Sequence, residues 1–233
     1  MNALARMRLA GFVRTGRSLA PLLAALAALL IVYGGGQARS AEAYGFSALV
    51  LFPVLAWQTK VLLDVEPDVQ RQLARVAIGS ATRETVSGLL AAAGAGAGVI
   101  AIALALPWLI NAIELAEGET LAGSLAVGLL AHLLAMAAGI VLGALASRAV
   151  TGSTSIGLAV LVGGSVLTIV LGLQSSPAPW LVPPLMDLTR VLGRTVDDRA
   201  AIDPGRLLLT TGQALLWTAV AVTGYLRLRQ RRA

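Results

Sequence analysis

The sequence predicts an all-α polytopic membrane protein with six transmembrane helices, on three observations. The 233-residue chain is 57% hydrophobic and 13% charged, against ~45–50% and ~25% in soluble domains, so an ordinary water-soluble enzyme is excluded. Long uncharged runs recur through the chain, and its mean hydropathy is +0.81. The basic residues, which give a net charge of +6, flank those runs instead of forming one patch with aromatics, so nucleic acid is not an expected partner. With no cysteine, disulfides, thiolate metal sites and cysteine nucleophiles are excluded.

Six segments can cross a hydrocarbon core of ~30 Å at ~1.5 Å per residue: Leu19 to Gly36, Tyr44 to Leu63, Val86 to Ile110, Leu121 to Ala146, Ile156 to Leu173 and Leu207 to Leu226. Their one formal charge is Lys60, close enough to the end of the second for its stem to snorkel to the headgroups. One side of the bilayer then holds Arg6, Arg8, Arg14, Arg17, Lys60, Arg71, Arg75, Arg83, Arg148, Arg227, Arg229, Arg231 and Arg232, thirteen cations. The other holds five: Arg39, Arg190, Arg194, Arg199 and Arg206. Carboxylates divide the other way, four to eight. The positive-inside rule places both termini in the cytoplasm, as an even number of spans requires.

The chain reads as one transmembrane domain over 1–233. Residues 1–17 place Leu4, Met7, Leu9, Phe12 and Val13 among four arginines, which suits an amphipathic helix at the interface or a basic flank. Pro21 then opens the first span. A secretory leader ending near Ala38-Arg39-Ser40-Ala41 is the lesser reading, because five more spans follow.

The chain has no GxxxxGK[ST] phosphate loop and so no ATPase of that type. Ion-driven carriers keep ionisable groups at membrane depth, where this chain offers His132 alone, either a polar contact between helices or a candidate residue on a substrate path. Gly163-Gly164-Ser165 only weakly resembles the GxSG of rhomboid-type proteases, since Val166 follows the serine and the histidine precedes it. Small residues at four-residue spacing, Gly94 and Gly98, then Ala135, Gly139, Gly143 and Ser147, predict close helix packing.

The segment 64–85, DVEPDVQRQLARVAIGSATRET, predicts a short charged helix at the cytoplasmic face: Pro67 opens it, Asp68 sits in its first turn, and Arg71 and Arg75 follow at four-residue spacing. The stretch Gly79-Ser80-Ala81-Thr82-Arg83-Glu84-Thr85-Val86-Ser87-Gly88 is similar to the Pro-x-Ser-Arg-x-Glu-x-x-x-Gly-Lys stretch that leads into the third span of small six-span, type-two bacterial ABC exporter permeases. Arg83, Glu84 and Gly88 match, and the proline and lysine are missing. The chain resembles that family over nearly its whole length.

The resemblance implies a permease subunit in the bacterial cell membrane. A separate ATP-binding cassette ATPase would carry ATP and magnesium, this chain holding no cofactor, metal or catalytic residue, and a second permease chain would complete a homodimer or heterodimer. It implies a coupling contact to the ATPase at Asp64, Glu66, Asp68, Arg71, Arg75, Arg83 and Glu84, with the turn at 148–155 as a second contact. It also implies that the external loop 174–206, rich in proline and carrying Trp180, Pro183 and Pro184, dips into the outer leaflet as re-entrant helices that cap the pathway. Apolar walls favour a hydrophobic or amphipathic substrate: a drug, a lipid or a peptide. The readings from other classes are a non-transporting scaffold or immunity subunit, an intramembrane protease and a secondary carrier.

Overall fold

The computed structural model describes residues 2–196, 199–200 and 202–231. Of the residues counted above, Asp197, Asp198 and Arg232 lie outside that set. The described chain forms ten helices: α1 (Asn2–Arg14), α2 (Leu19–Tyr33), α3 (Ser40–Leu63), α4 (Asp68–Ile78), α5 (Ala81–Leu109), α6 (Leu121–Leu145), α7 (Arg148–Thr151), α8 (Thr154–Leu171), α9 (Leu185–Leu192) and α10 (Pro204–Arg231). Two short pairings accompany them: β1 (Ala38–Arg39) runs parallel to β2 (Ile113–Glu114), and β3 (Thr195–Val196) antiparallel to β4 (Arg199–Ala200).

Five helices, α3, α5, α6, α8 and α10, are long and apolar enough to cross a membrane. The first predicted span differs. The helix α2 ends at Tyr33, where Gly34-Gly35-Gly36 follows, and its 15 residues reach only about 22 Å. It passes as a span only together with α1, from which it is bent by 77°. Gly16, at φ +70°, lies in the turn between them. The stretch that resembles a leader cleavage site forms β1 and the buried start of α3.

The helix predicted in the 64–85 loop forms as α4. Pro67 precedes it, and Gly79, left-handed at φ +68°, ends it by donating its N–H to the Arg75 carbonyl at 2.8 Å. Ser80 then caps α5, its hydroxyl accepting from the Arg83 N–H at 3.3 Å. This cap starts the helix five residues before the apolar run at Val86.

The centre of the molecule is the pair α3 and α6. The predicted small-residue stripe of α6 faces α3: a Cβ on Gly139 would stand 3.1 Å from both Leu55 Cβ and the Phe52 carbonyl oxygen, and one on Gly143 would run into the Ala56 carbonyl. Phe52, Ala56, Ala135, Ala138 and Leu142 fill the seam. Of the other pair, Gly94 meets Leu9 of α1, while Gly98 faces open space. Gly143→Val is therefore expected to abolish the monodisperse folded species in detergent size-exclusion chromatography, and Gly98→Ala to leave it unchanged.

The α1, α4 and α7 helices and the end of α10 gather at one end of the bundle, the basic end, so the first and last described helices meet there. At the far end β1–β2 joins the loops before α3 and α6, and Ser40 donates to Glu119 at 2.9 Å. The loop after α8 is largely exposed as far as Leu181 and buried in part beyond it. Its turn Pro179–Leu181 and α9 fold back along α3 and α10, with Leu185, Leu188 and Leu192 joining the α3–α6 core. Trp217, thirteen residues and roughly 20 Å into α10, donates its Nε1–H to the Leu181 carbonyl at 3.0 Å.

Candidate functional site

Glu84 organises the basic end. It sits in the first turn of α5, a 29-residue helix about 43 Å long, so this turn stands outside a ~30 Å apolar core. Its side chain is enclosed, the residue being only 2% exposed, and one carboxylate meets cations from three helices. Arg8 of α1 donates Nη2–H to Oε1, Arg229 of α10 donates Nη2–H to Oε2 at 3.1 Å, and Arg75 of α4 lies 3.5 Å from Oε2. Arg8 also donates to Glu66 Oε2 from Nε at 3.0 Å and Nη2 at 2.7 Å. Its Nη1 reaches the Glu84 carbonyl at 2.8 Å and Ser87 Oγ at 3.0 Å.

Local sequence makes room for this cluster. On α1 the inward face is Ala5, Arg8 and Phe12, which carries the guanidinium to α5. A Cβ at Gly88 would lie 3.0 Å from Arg8 Nη1 and 2.8 Å from Leu63 Cδ2, so glycine there admits the arginine. Beside the cluster is a cavity of about 20 Å³, lined by Glu66, Arg71, Tyr225 and Arg229, with room for one water molecule. Burial would raise the Glu84 pKa, but the Arg8 hydrogen bond and the charges of Arg8, Arg229 and Arg75 outweigh it and hold the carboxyl below its usual range. Burial likewise opposes the Arg8 charge, and Glu66 and Glu84 more than offset it.

A second cluster joins α3 to α7. Lys60 Nζ donates to Asp64 Oδ2 at 2.7 Å, Asp64 Oδ1 accepts the Arg148 N–H at 2.8 Å, and Arg148 Nη2 donates to the Asp64 carbonyl at 3.0 Å. Lys60 is only 6% exposed, its ammonium paired with a carboxylate four residues on, at the end of the span.

Of the seven predicted coupling residues, Glu66, Arg71 and Glu84 are buried within this chain. Arg75 is turned toward Glu84, and Asp64 is committed to Lys60 and Arg148. Arg83 is exposed; Asp68 opens α4, and its side chain lies outside what is described. The exposed surface of α4 carries an apolar stripe beside Gln70 and Gln72: Val69, Leu73 and Val76 are 67%, 64% and 82% exposed, at spacings of four and three residues that put them on one face. That face, together with Arg8 and Arg229, is what the sequence reading passed over. An open groove of about 890 Å³ runs between α4 and α1, lined by Leu4, Met7, Leu73 and Ala77 among others.

His132 is fully buried at the α3–α6 seam. Its Nδ1 is 2.7 Å from the Gly128 carbonyl and its Nε2 3.2 Å from Ser47 Oγ, which also accepts from Tyr33 OH at 2.9 Å. The ring meets Tyr44 edge-on with centroids 5.9 Å apart. Of the two sequence readings this geometry is the interhelical polar contact. His132→Leu is expected to lower stability in detergent by about 1 kcal/mol, measured as a shift in the thermal midpoint. Ser165 bonds the Leu161 carbonyl of its own helix at 2.8 Å, so no Ser–His hydrogen bond links it to His132. At the far end Trp180 is exposed, Pro183 is buried, and Pro184 immediately precedes α9.

Compared with known protein-family models, curated proteins and solved structures, the chain matches none.

Proposed function

We propose that this chain is the permease subunit of an ATP-driven bacterial ABC exporter, moving a hydrophobic or amphipathic drug, lipid or peptide. A separate ATPase subunit supplies the work, and two permease chains frame the path in the cell membrane. Both termini are cytoplasmic on this reading: the basic end, with most of the lysine and arginine, is the inner one. The observation that carries the proposal is the arrangement of α4. One face is apolar and open, while Arg75 on its inner side reaches a carboxylate shared with α1 and α10.

A partner that closes on the apolar face would push a helix whose charged side is linked to three others. The ATPase must touch two positions of α4 differently for this to drive transport. The coupling contact on this proposal lies at Val69, Leu73 and Val76, with the exposed Arg83 of α5 as a further candidate. On this proposal the far-end segment Pro179–Leu192 caps the path from the outer leaflet.

The absence of cysteine makes a direct test simple. A single cysteine at Val76, carrying a benzophenone label in native membranes, is expected to give one photo-adduct with a protein bearing a phosphate loop. Labelling that yields only lipid adducts would contradict the proposal.

A further inference from the structure

We infer that the far end carries a binding site for one anionic phospholipid, in a recess between α9 and α10. The recess has two parts that share Asp187 and Gln213 as walls. The polar part, about 300 Å³, is lined by Arg190, Arg194 and Arg206. The apolar part, about 380 Å³, continues along α10 past Leu216, Trp217 and Val220 and is closed on its other side by Trp180. From Arg206 to Val220 is fourteen residues of helix, roughly 21 Å, which matches a headgroup and the upper half of an acyl chain.

Charge selects the occupant. The far end has only five cations in the whole sequence, and three of them line this recess. Arg190 is held in place, donating Nη1–H to Asp187 Oδ1 and Nη2–H to the Gly172 carbonyl. The Asp203 carboxylate accepts the N–H groups of Gly205 at 2.9 Å and Arg206 at 3.2 Å, which spreads its charge onto backbone donors. The guanidinium groups of Arg194 and Arg206 are exposed and make no hydrogen bond or ion pair among the described residues. The planar donor sets of Arg194 and Arg206, beside one fixed arginine, fit the oxygens of a phosphodiester. Below them Leu216 and Val220 are 67% and 64% exposed on the protein, so the acyl chain of that lipid can lie along them while its headgroup meets the arginines. A water-soluble anion would leave this second part unfilled, and a zwitterionic lipid would bring a cation against the arginines.

This inference rests on the membrane placement of the chain and not on ATP-driven export. The test uses the purified full-length chain in mixed micelles with equimolar dioleoyl phosphatidylglycerol and dioleoyl phosphatidylcholine, read by native mass spectrometry. Retention of phosphatidylglycerol over phosphatidylcholine by a factor on the order of ten is expected, falling to near parity in Arg194→Gln/Arg206→Gln. Both substitutions are on exposed side chains, and unchanged elution volume would verify the fold. In a Trp57→Phe/Trp108→Phe background, phosphatidylglycerol brominated on its chains is expected to quench the two remaining tryptophans more than brominated phosphatidylcholine at the same mole fraction. No headgroup preference, equal quenching by the two lipids, or a preference that survives the double substitution would overturn the site.

Discussion

Glu84→Gln is expected to cause the largest loss of stability of any charge substitution in the chain. The carboxylate lies 2% exposed among Arg8, Arg75 and Arg229, and among the described contacts the change leaves Glu66, paired with Arg8, as the acid of this cluster. Removing one member of a buried ion pair costs about 3–5 kcal/mol, because the partner stays buried without its counter-charge. The thermal midpoint in detergent measures this, and Arg83→Gln on the exposed neighbouring turn is expected to change stability by less than ~0.5 kcal/mol. Acid has a related effect. The folded-state pKa of Glu84 is depressed, so its stabilisation is complete above the ordinary glutamate range and is lost as pH falls through the lower folded value. The Glu84→Gln protein is expected to lack that acid-dependent component. An unchanged midpoint in Glu84→Gln would show that the arginines find other partners.

The triple substitution Val69→Asp/Leu73→Asp/Val76→Asp is expected to leave the chain folded and to weaken its association with the proposed ATPase by at least about 100-fold. All three side chains point to solvent from α4, so the folded chain loses little when they become polar. A partner helix or groove that buries them would instead desolvate three carboxylates, and interface anchors of this kind carry ~2 kcal/mol or more each. The readout is the amount of partner retained on affinity-purified permease and the ATP hydrolysis it supports. Retention unaffected by the triple change would move the docking face away from α4.

Much of this architecture is legible in the chain because membrane helices announce themselves by length and apolarity. Pro67 and Gly79 likewise mark both ends of α4. The first span was less legible: Gly34-Gly35-Gly36 is apolar enough to extend the run from Leu19, yet it ends the helix at Tyr33. Charges were hardest to place. Arg8 and Arg229 read as topology signals, and only the fold brings residues 8, 84 and 229 to one carboxylate. One trace was present, since Arg8 stands between Ala5 and Phe12 on the apolar face of α1. Conversely, the family resemblance implies contact roles for the acidic and basic residues of 64–85. Here several are consumed inside the chain, and the apolar period of Val69, Leu73 and Val76 was the better guide to a free surface.

The central proposal, a permease worked by a separate ATPase, is tested most directly by affinity purification of the chain from its native membrane in mild detergent, with mass spectrometry of what accompanies it and an ATPase assay. The account predicts a stoichiometric subunit carrying a phosphate loop and vanadate-sensitive ATP hydrolysis. Recovery of the chain without such a subunit, and with no nucleotide hydrolysis, would contradict it and favour a non-transporting scaffold.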